Sequence, residues 1–154
     1  MSAVVRESFA RLRPMRDADL AEVMRIETSA YEFPWTLGIF QDCLRFGYLC
    51  QVYDSPRGIL GYGIMSVGVG ECHLLNICIA PRHQRHGHAT RMIAQLLDMA
   101  RERRARMALL EVRVSNRGAY RLYTKLGFNE IGMRRGYYPA RKGREDAIVL
   151  AREL

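Results

Sequence analysis

Residues 84–90 read Gln-Arg-His-Gly-His-Ala-Thr, a basic loop with small residues at Gly87 and Ala89. Small residues let a backbone approach a ligand closely, and the free N–H groups at the start of a helix point at whatever lies there. Such a loop suits a phosphate or pyrophosphate. The Gly-Lys-Ser/Thr ending of a P-loop and the three spaced glycines of a dinucleotide fingerprint are both missing, so neither of those nucleotide classes is supported. On the loop alone, a basic strand-to-helix turn that binds nothing accounts for the residues equally well.

A second candidate lies in Leu109-Leu110-Glu111-Val112-Arg113-Val114. Period-two alternation places Leu110, Val112 and Val114 on one face of a strand and Leu109, Glu111 and Arg113 on the other. Partial burial would raise the Glu111 carboxyl from about 4.3 towards neutrality and make it a better general base. The plain alternative is an ion pair with an arginine such as Arg113. Tyr123 falls on the inward stripe of a helix, where it is either a core aromatic or a phenol that donates its proton to a leaving thiolate. Asn116 is first a helix cap. Trp35, Tyr137 and Tyr138 occur in stretches that read as loops, where aromatics either line a binding groove or pack into the core. His73, His83, His86 and His88 match no strong zinc spacing, and a cation would repel the adjacent arginines, so no metal centre is expected.

These residues need elements to hold them. Residues 9–12 predict a first strand, after which Asp17 or Asp19 caps a helix carrying Leu20, Val23 and Met24 inward. Residues 31–35 break it, and Thr36 starts a second helix with Ile39, Phe40, Cys43 and Leu44 on one side, ending near Gly47. Strands follow at 48–53 and 59–67, separated by a turn at 54–58; a second turn at 68–70 leads to a central strand at 74–79, buried on both faces and bounded by Pro81. Ala89, Met92, Ile93, Leu96, Leu97 and Ala100 then mark one helical face. Beyond a strand at 107–114, Ser115 or Asn116 caps a helix with the stripe Ala119, Leu122, Tyr123 and Leu126, closed by Gly127. Two last strands, 128–133 and 147–151, are joined by a long basic loop that holds tyrosines. The order β-α-α-β-β-β-α-β-α-β-β describes an α/β (α+β) fold, a mixed sheet with helices on both faces, in a single domain over residues 1–154.

The chain of 154 residues, 49% hydrophobic and 26% charged, is globular rather than disordered. Its net charge of +8 predicts attraction to polyanions without choosing among a phosphorylated cofactor, an acidic protein and RNA. Of the 24 basic residues only Lys125 and Lys142 are lysines, so the charge sits almost wholly on guanidinium groups suited to phosphate and carboxylate. The run Arg101, Arg103, Arg104 and Arg106 complements a helix dipole and reads as a solvated face, ribosome or RNA contact being the lesser reading. Cys43, Cys50, Cys72 and Cys78 form no Cys-x-x-Cys pair and read as buried free thiols, with a disulfide the disfavoured alternative. The N-terminal arginines Arg6, Arg11, Arg13 and Arg16 flank no apolar core of signal-peptide length, and no run approaches a membrane span, so a cytoplasmic protein is expected.

The pattern Gln84-Arg85-His86-Gly87-His88-Ala89 resembles the Gln/Arg-x-x-Gly-x-Gly/Ala signature of the GNAT superfamily of N-acetyltransferases, whose element order this chain also shares. Within that superfamily the chain is similar, from about Leu12 onward, to the bacterial ribosomal-protein alanine N-acetyltransferases. Arg135-Gly136-Tyr137-Tyr138-Pro139 and Gly143-Arg144-Glu145-Asp146-Ala147-Ile148 are the discriminating stretches, supported by Phe33-Pro34-Trp35, Asn76-Ile77 and Leu126-Gly127-Phe128-Asn129-Glu130. The resemblance implies acetyl-CoA as co-substrate and no metal. It makes Glu111 the general base and Tyr123 the general acid. Backbone groups of Ile77, Cys78 and Ile79 would hold the acetyl and pantetheine portion, and Arg85, His86, Gly87, His88, Ala89 and Thr90 the pyrophosphate, with Asn116 also touching the cofactor. The loop aromatics Trp35, Tyr137 and Tyr138, singled out above by their position, are the candidates to bind the acceptor. That acceptor would be the N-terminal alanine α-amine of a protein, a small-subunit ribosomal protein above all, with no membrane and no specific nucleic acid as partner. Alternatives are a lysine or polyamine acceptor, or a non-catalytic basic module associated with the ribosome or RNA. Ala89 in place of glycine and two histidines in the loop are the departures, and the histidines would make cofactor affinity depend on pH.

Overall fold

The computed structural model describes residues 10–154. Phe9, expected in the first strand, and Arg6 lie outside the described residues. The elements are β1 (Arg11–Pro14), α1 (Leu20–Ala30), α2 (Leu37–Arg45), β2 (Leu49–Ser55), β3 (Gly58–Gly68), β4 (Glu71–Ile79), α3 (His88–Glu102), β5 (Met107–Arg113), α4 (Arg117–Lys125), β6 (Asn129–Pro139) and β7 (Arg144–Glu153), with short 3-10 turns at Asp17–Asp19 and Pro81–His83. The predicted order of strands and helices is the observed one. The strands form a seven-stranded mixed sheet in the order β1-β2-β3-β4-β5-β7-β6. The described residues divide into two compact units, 10–66 with 76–96 and 67–75 with 97–154.

In the first unit β1 pairs antiparallel with β2, and β2 antiparallel with β3, with a bulge at Tyr53/Asp54. Asp54 and Ser55 belong to β2 and Gly58 opens β3, so the expected turn shrinks to two residues. Helix α1 begins at Leu20 after the 3-10 turn, and Asp19 stands at its N-cap without capping it by its side chain: the carboxylate reaches back to accept the Arg16 N–H at 2.8 Å and is bound by Arg13 Nη1 and Nη2 at 2.9 Å each. Leu20 and Val23 are buried as expected, Met24 is half-buried, and the buried face continues through Ile26 and Glu27. Thr36 caps α2, its Oγ1 accepting the Ile39 N–H at 3.3 Å. Phe40 and Cys43 are its buried residues; Leu44 is half-buried, and Ile39, expected inside, is 40% exposed because a nine-residue helix presents only a narrow stripe inward.

In the second unit β4 pairs parallel with β5 from Glu71/Met107 to Leu74/Leu110, and β5 pairs antiparallel with β7 over its whole length. Ala108, Leu110 and Val112 are buried, while Val114 falls beyond the strand and is exposed. The strand β4, expected to be buried on both faces, alternates instead. Cys72, Leu74, Asn76 and Cys78 are buried, and His73, Leu75 and Ile77 half-buried. The expected long loop between the last strands is also corrected: β6 and β7 run on through it and leave only residues 140–143 as the turn. Gly136 takes φ 59° inside β6, its N–H held by the Asp146 carboxylate at 2.8 Å and its carbonyl by Arg144 Nε at 2.8 Å. Residues 129–135 are all exposed, so this end strand lacks the period-two pattern by which a strand is read.

Candidate functional site

Strand β5 delivers Glu111 with its side chain only 7% exposed. His73 Nε2 lies 2.5 Å from Oε2, and Arg134 Nε 3.2 Å from Oε1. Burial pushes this carboxyl up, but the hydrogen bond and charge of His73 together with Arg134 outweigh it, and the net displacement is below the ordinary 4.5. The expected rise towards neutrality is therefore corrected. The alternative reading, an ion pair with an arginine, is met by Arg134 rather than by Arg113, whose Nη1 turns to Glu145 Oε1 at 3.0 Å and to the Pro139 carbonyl at 2.8 Å. Its guanidinium carbon also lies 4.4 Å from the centre of the Tyr138 ring. The Ser115 N–H donates to Glu145 Oε2 at 2.8 Å; Ser115 first, then Arg113, holds that carboxyl below its ordinary value.

Tyr137 and Tyr138 stand on β6, not in a loop, with ring centres 4.9 Å apart. Arg134, which pairs with Glu111, lies 5.5 Å from the Tyr137 ring centre, so one guanidinium links the carboxylate to the aromatic pair. Burial, then Glu111, pushes the Tyr138 phenol up to about 12. Sequence reasoning missed His73 and Arg134 as partners of Glu111. They come from two other strands, and only the shared face of His73 on β4 could have hinted at the first. Tyr123 is buried on α4 and stacks edge-on against Phe128 at 5.6 Å. Asn116 caps α4, its Oδ1 accepting the Ala119 N–H at 3.2 Å.

The basic loop belongs to the first unit. After the 3-10 turn, Gln84 Nε2 donates to the Ile79 carbonyl at 2.9 Å, Arg85 takes φ 67° and Gly87 φ 79°, and α3 starts at His88. A Cβ on Gly87 would lie 2.9 Å from Arg91 Nη1, and Arg91 Nη2 donates to the His86 carbonyl at 3.1 Å. Two left-handed residues, one of them without a side chain, lead into the N-terminus of a fifteen-residue helix, the kind of backbone at which anions are bound. Arg85, His86 and Thr90 are exposed there and Ala89 half-buried. The His88 ring is turned inward instead, 2% exposed, 5.8 Å from the Tyr53 ring and with Nδ1 3.1 Å from Arg91 Nη2.

On β4 the carbonyl of Ile77 accepts the Tyr31 hydroxyl at 2.8 Å, and the Cys78 thiol is buried and pushed up to about 11 by that burial. Trp35 sits in the loop before α2, half-buried, 5.3 Å from Phe40. Among the described residues no group of histidine, cysteine, aspartate and glutamate side chains is placed to hold a metal ion.

Residues 15–128 match the model of the acetyltransferase (GNAT) family. The chain is 36% identical over 137 residues, covering 89% of it and 93% of the relative, to the [ribosomal protein bS18]-alanine N-acetyltransferase of Escherichia coli K12. The crystal structure of the ribosomal-protein-S18-alanine N-acetyltransferase from Escherichia coli superposes with a TM-score of 0.86 at 34% identity, covering 94% of both chains. Arabidopsis thaliana Naa50, solved in complex with the bisubstrate analogue CoA-Ac-MVNAL, shares the fold with a TM-score of 0.81 at 17% identity, covering 94% of this chain and 99% of that one.

Proposed function

This chain belongs to the acetyltransferase (GNAT) family, and from that premise we propose that it transfers the acetyl group of acetyl-CoA to the N-terminal α-amine of a protein beginning with alanine, a small-subunit ribosomal protein in the first place. The observation that carries this reading is the likeness to the Escherichia coli enzyme over 89% of the chain. One N-acetyltransferase domain spans residues 1–154. Four buried free thiols and a ribosomal acceptor suit the cytoplasm.

In this reading the loop Arg85 to Thr90 with the amides of α3 binds the pyrophosphate, and backbone groups of Ile77, Cys78 and Ile79 hold the acyl end. Trp35, Tyr137 and Tyr138 receive the acceptor. Glu111, through water, takes the proton that the α-ammonium gives up; the amine attacks the thioester carbon; an amide of β4 stabilises the oxyanion; and Tyr123 protonates the departing thiolate. A carboxyl held below its ordinary range is a weak base, and that favours an acceptor that yields its proton readily. Freeing an α-amine at neutral pH costs only ~1 kcal/mol, against nearly ~5 kcal/mol for a lysine.

Mass spectrometry of acetyl transfer to two peptides tests the reading. One has a free N-terminal alanine and no lysine; the other has a blocked N-terminus and an internal lysine. Modification of the first alone is expected. Modification of the second alone would overturn the acceptor, and transfer to neither would point to a small amine.

A further inference from the structure

Glu27 has no part in the chemistry above, yet it is the most deeply buried carboxylate among the described residues, 1% exposed. No arginine, lysine or histidine among the described residues pairs with it. Its charge is met by neutral donors from three separate segments. Oε1 accepts the Tyr62 hydroxyl of β3 at 2.5 Å and Asn76 Nδ2 of β4 at 3.0 Å, and Oε2 accepts the backbone N–H of Trp35 at 2.8 Å. Burial, then the Cys78 thiol and Glu27 itself, pushes the Tyr62 phenol far up, so it remains a donor. A second strut runs alongside: the Tyr31 hydroxyl donates to the Ile77 carbonyl at 2.8 Å.

These bonds tie both ends of the loop between α1 and α2 to the strands: Tyr31 to Ile77 of β4, and Trp35 through Glu27 to Tyr62 of β3 and Asn76 of β4, the residue just before the stretch that the proposed function gives to the acyl end of the cofactor. An isolated buried carboxylate costs several kcal/mol unless its lone pairs are satisfied. A tie that served folding alone would be met by apolar packing without that cost. What the carboxylate adds is two acceptor oxygens at a fixed spacing, one for the loop and one for the strands.

We infer that Glu27 is a positioning residue: it fixes the Trp35 loop against Asn76 of β4, and through that loop it sets the affinity for the acceptor. The inference rests on the acyltransfer reading for its kinetic consequence and on geometry alone for the tether. Glu27→Met removes both acceptor oxygens with little change in volume. Should that variant fail to fold, Glu27→Gln serves, since its amide nitrogen replaces one acceptor oxygen and meets a donor there, either the Trp35 N–H or the Tyr62 and Asn76 pair.

Trp35 is the only tryptophan of the chain, so intrinsic fluorescence reads the loop without any substrate. The emission is expected to shift to the red and acrylamide quenching to rise in either variant. The KM for the alanine peptide is expected to rise about tenfold, with the KM for acetyl-CoA and kcat within about twofold of wild type. A role in folding alone would lower the active fraction and leave the peptide KM where it was. Unchanged Trp35 emission and quenching would overturn the tether, and an unchanged peptide KM would overturn its role in acceptor binding. If the wild-type protein acetylated no alanine peptide, the proposed function would fall, and the fluorescence would still decide for or against Glu27.

Discussion

Glu111 is held ionised by His73 and Arg134, and this fixes what its titration can do. Because its folded pKa is lowered, its contribution to stability is present above the ordinary 4.5 and is lost as pH falls through the lower folded value. No limb of a rate profile between pH 5 and 7 should then belong to it. With an alanine peptide, kcat/KM is expected to climb about tenfold per pH unit towards the α-amine pKa of ~8 and then level off. Glu111→Gln should lower kcat by ~10²-fold or more with the shape of the profile preserved. A limb near pH 6 that vanished in the variant would contradict the lowered pKa. The carboxylate itself was legible in one strand's alternation. Its pKa was not, because the partners that set it arrive from β4 and β6, and Arg113, adjacent on the same face, is drawn off by Glu145.

Among the elements, periodicity worked where a face is buried and failed where none is. The stripe Met92, Ile93, Leu96, Leu97 and Ala100 located α3, and all five residues are buried. The strand β6, exposed on nearly every residue, reads from its sequence as half strand and half loop. Close approach of backbones leaves no periodic trace either. Gly61 on β3 looks like any strand glycine, but a Cβ there would lie 2.3 Å from the Cys78 carbonyl oxygen and 2.7 Å from Ile79 Cδ1. Both neighbours belong to the stretch of β4 proposed to hold the acyl end. Gly61→Ala should therefore destabilise the protein by about 2 kcal/mol, read as a lowered midpoint in urea, and raise the KM for acetyl-CoA more than that for the peptide. Gly68→Ala, with open space around its Cβ, is the matching control and should do neither.

For the molecule as a whole, the charge of +8 is a statement about encounter rather than fold. Acetyl-CoA carries its negative charge on phosphates, so its KM is expected to rise several-fold between about 0.05 and 0.5 M salt, as screening shortens the reach of the guanidinium groups. The kcat at saturation should barely move. A KM insensitive to salt would show that the cofactor is held by backbone amides, with the surface charge serving another partner. Composition announced this field but not its placement.

The four cysteines are all buried, and burial pushes Cys50, Cys72 and Cys78 up to about 11. Every turnover of the proposed reaction liberates one new thiol, that of free coenzyme A. Near pH 8 a disulfide dye therefore finds a reactive thiolate on the product and almost none on the folded enzyme. The protein is optically silent in the assay that would count its own turnovers, and a slow thiol signal appearing without acceptor would report the chain coming open.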